Sequence, residues 1–256
     1  MLRADVMGVA LVTGGAKRIG RAIVERLARE GYAVAVHYGR SREDAEALVA
    51  SIVAEGGRAC AVQGDLGDPQ AVARIIPEAH AALGSLTLLV NNASEFEPDS
   101  IGEMEVMRWN RQFSVNLRAP VFLAEAFAAQ LPEDVEGSIV NLIDQRVWKP
   151  TPRFFSYQLT KSALFTATQT MAQALAPRIR VNGIGPGPTL ANIHEGDEQF
   201  GKEAAAVLLQ RGPSPEEIAD AVMFLQRARS MTGQMIALDG GQHLAWQTPD
   251  LVGMPE

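Results

Sequence analysis

Short apolar runs alternate with longer amphipathic stretches along the whole chain. Residues 9–12, 33–37, 59–63, 86–91, 138–143, 178–184 and 235–238 are brief, often β-branched and bounded by Gly, Asn or Asp. That pattern predicts buried strands. Between them, 18–30, 41–55, 69–83, 103–130, 154–176 and 215–227 carry the wider spacing of helices. In the first of these, Ile19, Ile23 and Leu27 share one face and Gly31 follows as a stop. In the second, Ser41-Arg42-Glu43-Asp44 resembles a capping box. Alternation of this kind predicts a doubly wound α/β fold, one parallel sheet with helices on both faces. No linker or repeat interrupts it, so 1–256 reads as a single domain. Residues 186–215 hold several Gly and Pro with weak periodicity, which marks a lid insertion on the substrate side of a site. Residues 244–256 read as a C-terminal tail.

Composition narrows the function classes. The chain has 256 residues, 47% of them hydrophobic, enough apolar material for one large core. A net charge of −7 gives no electrostatic reason to expect nucleic acid or an anionic membrane surface as a partner. The single cysteine, Cys60, excludes an intrachain disulfide, and the four histidines show no ligand spacing, so no metal is expected. No apolar run reaches the roughly 18 residues that span a bilayer, and residues 1–12 lack a signal-peptide pattern. A cytoplasmic protein acting on a small molecule is the expectation.

The first strand-to-helix turn reads Thr13-Gly14-Gly15-Ala16-Lys17-Arg18-Ile19-Gly20. Gly14 allows a sharp turn, Gly20 allows close packing of helix on strand, and the helix N-terminus offers N–H groups to a pyrophosphate. A glycine-rich turn alone is weak, but its place after the first buried strand strengthens it. NAD-binding folds commonly place an acidic residue about 20 residues beyond the glycines to hold the ribose 2′-hydroxyl. Here the second strand ends in His37-Tyr38-Gly39-Arg40-Ser41, with no acid. Arg40 and Ser41, with Arg18, suit a 2′-phosphate, which favours NADP(H) over NAD. Ser41 can also simply cap the next helix, and Arg40 can simply be solvated. Further on, Tyr157 and Lys161 stand four residues apart on one helical face. A nearby ammonium lowers a phenol's pKa from about 10 and fits it for proton transfer near neutrality.

Thr13-Gly14…Gly20, Asp65-Leu66, Asn91-Asn92-Ala93, Asn116, Tyr157…Lys161, Pro186-Gly187 and Asp239-Gly240-Gly241 together resemble the short-chain dehydrogenase/reductase family. The match runs in order over about 8–243. The resemblance implies a Rossmann-type fold with Tyr157 as the acid/base and Lys161 lowering its pKa and holding the nicotinamide ribose. It implies that Asn116 supports a proton-relay water and that Asp65 and Leu66 meet the adenine. Gly14, Lys17, Arg18, Ile19, His37, Tyr38, Arg40, Ser41, Asn92, Ala93, Pro186 and Gly187 complete the implied cofactor site. It also implies a dimer or tetramer built on the helices at 103–130 and 154–176.

Two departures refine the resemblance. Arg18 stands where most members have a third glycine, and Asp144 stands where most have a serine, 13 residues before the tyrosine. An ionised aspartate cannot donate a hydrogen bond to a carbonyl oxygen. Both departures, the His37–Ser41 stretch and Asn91-Asn92-Ala93-Ser94-Glu95-Phe96 resemble the pteridine reductases. By that resemblance Phe96 stacks on one face of a flat pterin, Ser94 and Arg18 bind its polar atoms, and Asp144 joins Tyr157 in proton delivery. Phe96 as ordinary core and Ser94 as a filler of the usual glycine position are the plainer readings. Two rival functions stay open at this point. One is an NADPH-dependent carbonyl reductase of the 3-oxoacyl thioester type; the other is a non-catalytic NADP-binding sensor or scaffold.

Overall fold

A computed structural model describes residues 7–191 and 196–246. Seven strands form one parallel sheet: β1 (Gly8–Val12), β2 (Tyr32–Tyr38), β3 (Ala59–Gln63), β4 (Leu88–Asn91), β5 (Gly137–Leu142), β6 (Ile179–Pro186) and β7 (Met235–Leu238). Their spatial order is β3-β2-β1-β4-β5-β6-β7. The chain therefore moves outward one way from β1, crosses back to β4, and moves outward the other way. That reversal opens a crevice at the carboxyl ends of β1 and β4, where open α/β sheets bind ligands.

The apolar runs of the sequence are explained by burial on both faces. Along β1, Ala10 and Val12 join one core cluster with Val34, Val36, Ile23 and Ile218. Val9 and Leu11 point the other way and join Leu89, Ile139, Ile75 and Phe127. The first cluster is covered by α1 (Arg18–Arg29), α2 (Arg42–Ala54) and α8 (Pro215–Arg227). The second is covered by α3 (Pro69–Leu83), α5 (Ala119–Gln130) and α6 (Phe155–Leu175). Among the described residues, no helix is long and apolar enough to cross a membrane.

Three local expectations need correction. The helix expected at 103–130 begins only at Val106 and runs as α4 (Val106–Phe113), a π-helical turn (Ser114–Arg118) and α5. Pro120 lies in the first turn of α5 and has no N–H to return to the Asn116 carbonyl, so the α-helical ladder breaks and the turn widens there. The weakly periodic 186–215 segment contains a helix, α7 (Gly196–Ala205), beside residues that lie outside the description; most of the 244–256 tail lies outside it too. Finally, Ser41 precedes α2 but its hydroxyl makes no cap bond. The reciprocal capping box belongs to α8, where Ser214 accepts from the Glu217 N–H and Glu217 accepts from the Ser214 N–H.

This contrast sets a test in the cofactor-free protein. Ser214→Ala is expected to cost about 1 kcal/mol, the usual value of an N-cap. Urea unfolding should show it as a lower midpoint at unchanged slope. Ser41→Ala should cost less than half as much; equal costs would contradict the cap assignment.

Candidate active site

The glycine-rich turn after β1 is held from two sides. Gly14 adopts φ 61°, and a Cβ on Gly20 would collide with the Gly14 carbonyl. From β4, the Asn92 and Ala93 backbone N–H groups both donate to Thr13 Oγ1 (2.9 and 3.1 Å), and Asn92 Nδ2 donates to the Thr13 and Gly14 carbonyls (2.9 and 3.2 Å). From β2, Gly15 N–H donates to the His37 carbonyl. Lys17 precedes α1 without a side-chain cap, and the first turn holds no acidic residue. The open N-terminus of α1 thus suits an anion.

His37, expected in the cofactor site, supports the glycine turn from beneath. Its ring is buried under the turn, with Nδ1 accepting from Gly14 N–H (3.1 Å) and Nε2 donating to the Gly64 carbonyl (3.0 Å). Both ring nitrogens are engaged, which fixes the neutral tautomer. Burial lowers its pKa to about 4, against the opposing pull of Gly64 and Asp65.

Arg18, expected in both the cofactor and the substrate site, lines the cleft. It adopts φ 54°, the left-handed region, which explains why a glycine is usual there; such a residue costs roughly 1–3 kcal/mol of strain. Its guanidinium donates to the Ala191 and Leu190 carbonyls (2.9 and 3.5 Å), across the cleft mouth and not toward the end of β2. Arg40 and Ser41 lie in the turn between β2 and α2. Arg40 is exposed and makes no hydrogen bond or ion pair among the described residues, while the Lys17 ammonium pairs with Asp44 (2.9 Å). Tyr38 and Leu66 are buried beside this region.

Asp65 reveals a residue that sequence reasoning missed. Its carboxylate accepts from Gly67 N–H (2.8 Å) and from Arg111 (2.6 Å), while Arg111 also binds Glu95 (2.9 Å). Burial pushes the Asp65 pKa up, but these donors outweigh it and the net shift is downward. Arg111 therefore ties the loop after β3 to the Ser94–Phe96 segment. A lone Arg on a surface helix carries no motif that would have flagged it.

The catalytic candidates converge above β5. Tyr157 and Lys161 lie one turn apart on α6, both buried. Asp144 follows β5 as the N-cap of a short 3₁₀ turn, and its Oδ1 accepts from Arg146 N–H (2.8 Å). Its Oδ2 accepts from the Tyr157 hydroxyl at 2.8 Å. Lys161 Nζ donates to the Leu142 carbonyl (2.8 Å) and lies 5.6 Å from the Tyr157 ring centre. Here the expected phenol–ammonium chemistry must be revised. Burial first, and the Asp144 carboxylate second, hold the Tyr157 pKa well above that of a free phenol. Burial lowers Lys161 to about 8, with Asp144 opposing. Tyr157 is thus kept as a neutral proton donor.

Asn116 sits in the π-helical turn, where its carboxamide is fully engaged. Oδ1 accepts from Glu95 N–H (2.8 Å) and the Ser94 hydroxyl (3.2 Å); Nδ2 donates to the Glu95 carbonyl (2.9 Å) and Thr160 Oγ1 (3.2 Å). The side chain pins the Ser94–Glu95 backbone. Phe96 stacks on Phe154 with ring centres 4.2 Å apart and meets Tyr157 edge-on at 4.6 Å. Phe96 also lines the cleft. Phe154, at φ 54° before α6, was not flagged by the sequence.

A cavity of about 410 Å³ collects these groups, with Arg18, Ser94, Phe96, Asp144, Tyr157 and Lys161 on its wall. Ile19, Asn92, Pro186 and Gly187 line it on the glycine-turn side. Uncapped N–H groups, an exposed Arg40 and this continuous wall fit a phosphorylated dinucleotide laid from β2 to α6.

The His37 geometry gives a pH prediction. A histidine whose folded pKa lies below its unfolded value contributes stability above that unfolded value. The contribution is lost as pH falls from about 6.5 to about 4, because the unfolded chain binds the proton first. The loss is about 3 kcal/mol over that window. In denaturant titrations at several pH values, His37→Asn should flatten the acid-side slope by this amount; an unchanged slope would contradict the assignment.

Comparison with known proteins agrees with this geometry. The family model described as short chain dehydrogenase matches residues 8–201. Pteridine reductase 1 of Leishmania tarentolae is 34% identical over 278 residues, covering 92% of this chain and 96% of that protein. The 3-oxoacyl-[acyl-carrier-protein] reductase FabG of Staphylococcus aureus is 33% identical over 240 residues, covering 92% and 98%. The crystal structure of FolM alternative dihydrofolate reductase 1 from Brucella canis, complexed with NADP, matches with a TM-score of 0.94 and 50% identity over 98% of this chain and 100% of that one. With its glycine turn, its Tyr157–Lys161 pair and these relatives, the chain belongs to the short-chain dehydrogenase family.

Proposed function

We propose that this protein is an NADPH-dependent reductase that adds hydrogen across a C=N bond of a pterin of the dihydropterin or dihydrofolate type. The observation that carries the reading is the Tyr157 hydroxyl donating to Asp144 at 2.8 Å. A carbonyl reductase needs a second donor where Asp144 stands, and a carboxylate supplies none. A pterin presents ring N–H and amino donors, which match a carboxylate acceptor. Phe96, on the cavity wall, would offer such a ring an offset stack, worth roughly 0.5–1.5 kcal/mol beyond burial. The Brucella canis and Leishmania tarentolae relatives support the reading through their names. A sensor without catalysis would have no use for the buried Tyr157–Asp144–Lys161 cluster.

When bound, the reduced nicotinamide supplies a hydride to carbon. Arg40 and Ser41 hold the 2′-phosphate, and Asn92, Ala93, Pro186 and Gly187 line the path toward Lys161. Tyr157, kept protonated by burial and Asp144, gives its proton to the ring nitrogen. The phenolate that remains is stabilised by Lys161, which at a pKa of about 8 is still largely charged at neutral pH. Asp144 keeps lone pairs for the ligand's donors, and Arg111 and Asn116 hold the Ser94–Phe96 segment against it. Self-association, where it occurs, has a face in Val106, Met107 and Phe122, apolar side chains exposed on α4 and α5.

The test follows NADPH oxidation with dihydrobiopterin, dihydromonapterin, dihydrofolate and an acetoacetyl thioester in parallel. Turnover of a pterin but not the thioester is expected; turnover of the thioester alone would overturn the reading. Tyr157→Phe should lower kcat by about 10²–10⁴ while NADPH still binds, the usual range for a lost general acid. Asp144→Ser should cut pterin kcat/KM at least about tenfold, equivalent to about 1.4 kcal/mol. Unchanged pterin kinetics in either variant would contradict the assigned role.

A further inference from the structure

Helix α6 carries Tyr157 and Lys161, and it begins at Phe155, just ahead of the tyrosine. Its first internal bond runs from the Gln158 N–H to the Phe154 carbonyl. The N–H groups of Phe155, Ser156 and Tyr157 therefore have no carbonyl in a preceding turn. The residue before a helix usually meets part of that deficit with a side-chain oxygen on an extended backbone. Phe154 has neither: it is an aromatic in the left-handed region at φ 54°, and it makes no cap bond. Its ring is committed to the stack on Phe96.

The cap comes from a distant part of the chain. Asp99 lies in the loop after β4, just beyond Phe96 on the same strip and 57 positions before Ser156. Its Oδ1 accepts from the Ser156 N–H (3.0 Å), and its backbone carbonyl accepts from the Phe155 N–H (3.3 Å). Asp99, Ser156 and Tyr157 are all buried, so solvent is a poor substitute for this acceptor. A carboxylate at a helix N-terminus is favoured by the helix dipole as well. From α4, Gln112 Nε2 donates to Ser156 Oγ and to the Glu97 carbonyl (3.4 Å), which fastens the strip to the same first turn. Asp99 does not line the catalytic cavity, so its influence on the chemistry runs through the backbone of Phe155 and Ser156.

We propose that Asp99 is a positioning residue for the reaction: it caps α6 where Phe154 does not, and so holds the Tyr157 hydroxyl in place against Asp144 and joins the strip bearing Phe96 to the helix bearing the acid. The inference rests on the proton-donor role of Tyr157 in the reading above, and not on which substrate receives the proton. Without the cap the first turn of α6 frays, and the phenol loses its fixed place 2.8 Å from Asp144 Oδ2. A misplacement of about 1 Å in a reacting geometry is enough to slow a reaction about a hundredfold.

The test compares Asp99→Ala, which removes the acceptor, with Asp99→Asn, which keeps one of similar reach. With whichever substrate of the panel turns over, Asp99→Ala should lower kcat at least about tenfold and leave KM for NADPH within about twofold. Asp99→Asn should keep kcat within about threefold of wild type. Ser214→Ala, which removes the cap of α8, should lower stability and leave kcat unchanged. A wild-type kcat in Asp99→Ala would overturn the proposal, and so would an Asp99→Asn kcat as low as that of Asp99→Ala. A kcat loss in Ser214→Ala as large as in Asp99→Ala would overturn it too, because lost stability alone would then explain the effect. Should Asp99→Ala not fold, Asp99→Ser, whose hydroxyl falls a bond short of the Ser156 N–H, takes its place with the same outcomes. Turnover of the thioester alone would end the pterin reading and leave this comparison standing. If nothing in the panel turns over, ultraviolet titration of Tyr157 in the cofactor-free protein decides. Burial and Asp144 hold that phenol's pKa up, so Asp99→Ala should move its ionisation downward and Asp99→Asn should leave it in place. An ionisation unmoved in Asp99→Ala would overturn the proposal.

Discussion

A buried phenol donating to a buried carboxylate constrains everything else about this site. In water such a contact is worth little, because both groups have solvent to bond. Beneath Phe96 and against the end of β5 the same contact is strong, and it sets protonation states. Asp144 is braced by the Arg146 N–H, so it stands ready as an acceptor, and Tyr157 answers by keeping its proton. That arrangement favours a reductase for substrates rich in N–H donors and disfavours one that must polarise a carbonyl. The rest of the fold delivers the parts: β5 brings Asp144, α6 brings Tyr157 and Lys161, and the π-helical turn at Asn116 holds the strip that carries Phe96.

Much of this was legible in the chain. Short apolar runs such as Val9–Val12 and the stop at Gly31 specify the sheet and its helices, because burial on both faces demands apolar side chains at successive positions. The catalytic pair was legible because four residues make one helical turn. The order of motifs then placed Asp144 in the slot where a donor is usual. What escaped is long-range and lacks periodicity. The bridge that the His37 ring makes between Gly14 and Gly64 joins residues far apart in sequence. So does the contact of Arg18 with the Ala191 carbonyl. The sign of the Tyr157 shift depends on burial, which no spacing reveals. Arg111 and Phe154 matter only through neighbours distant in sequence.

The central claim is that Asp144 and burial keep Tyr157 a neutral acid. Ultraviolet titration of the cofactor-free protein, taken as the difference between wild type and Tyr157→Phe, reads that phenol directly. The account predicts that Tyr157 stays protonated beyond pH ~10, where a free tyrosine ionises, and that Asp144→Asn moves its titration downward. A phenolate already present near neutral pH, or a titration indifferent to Asp144, would contradict it.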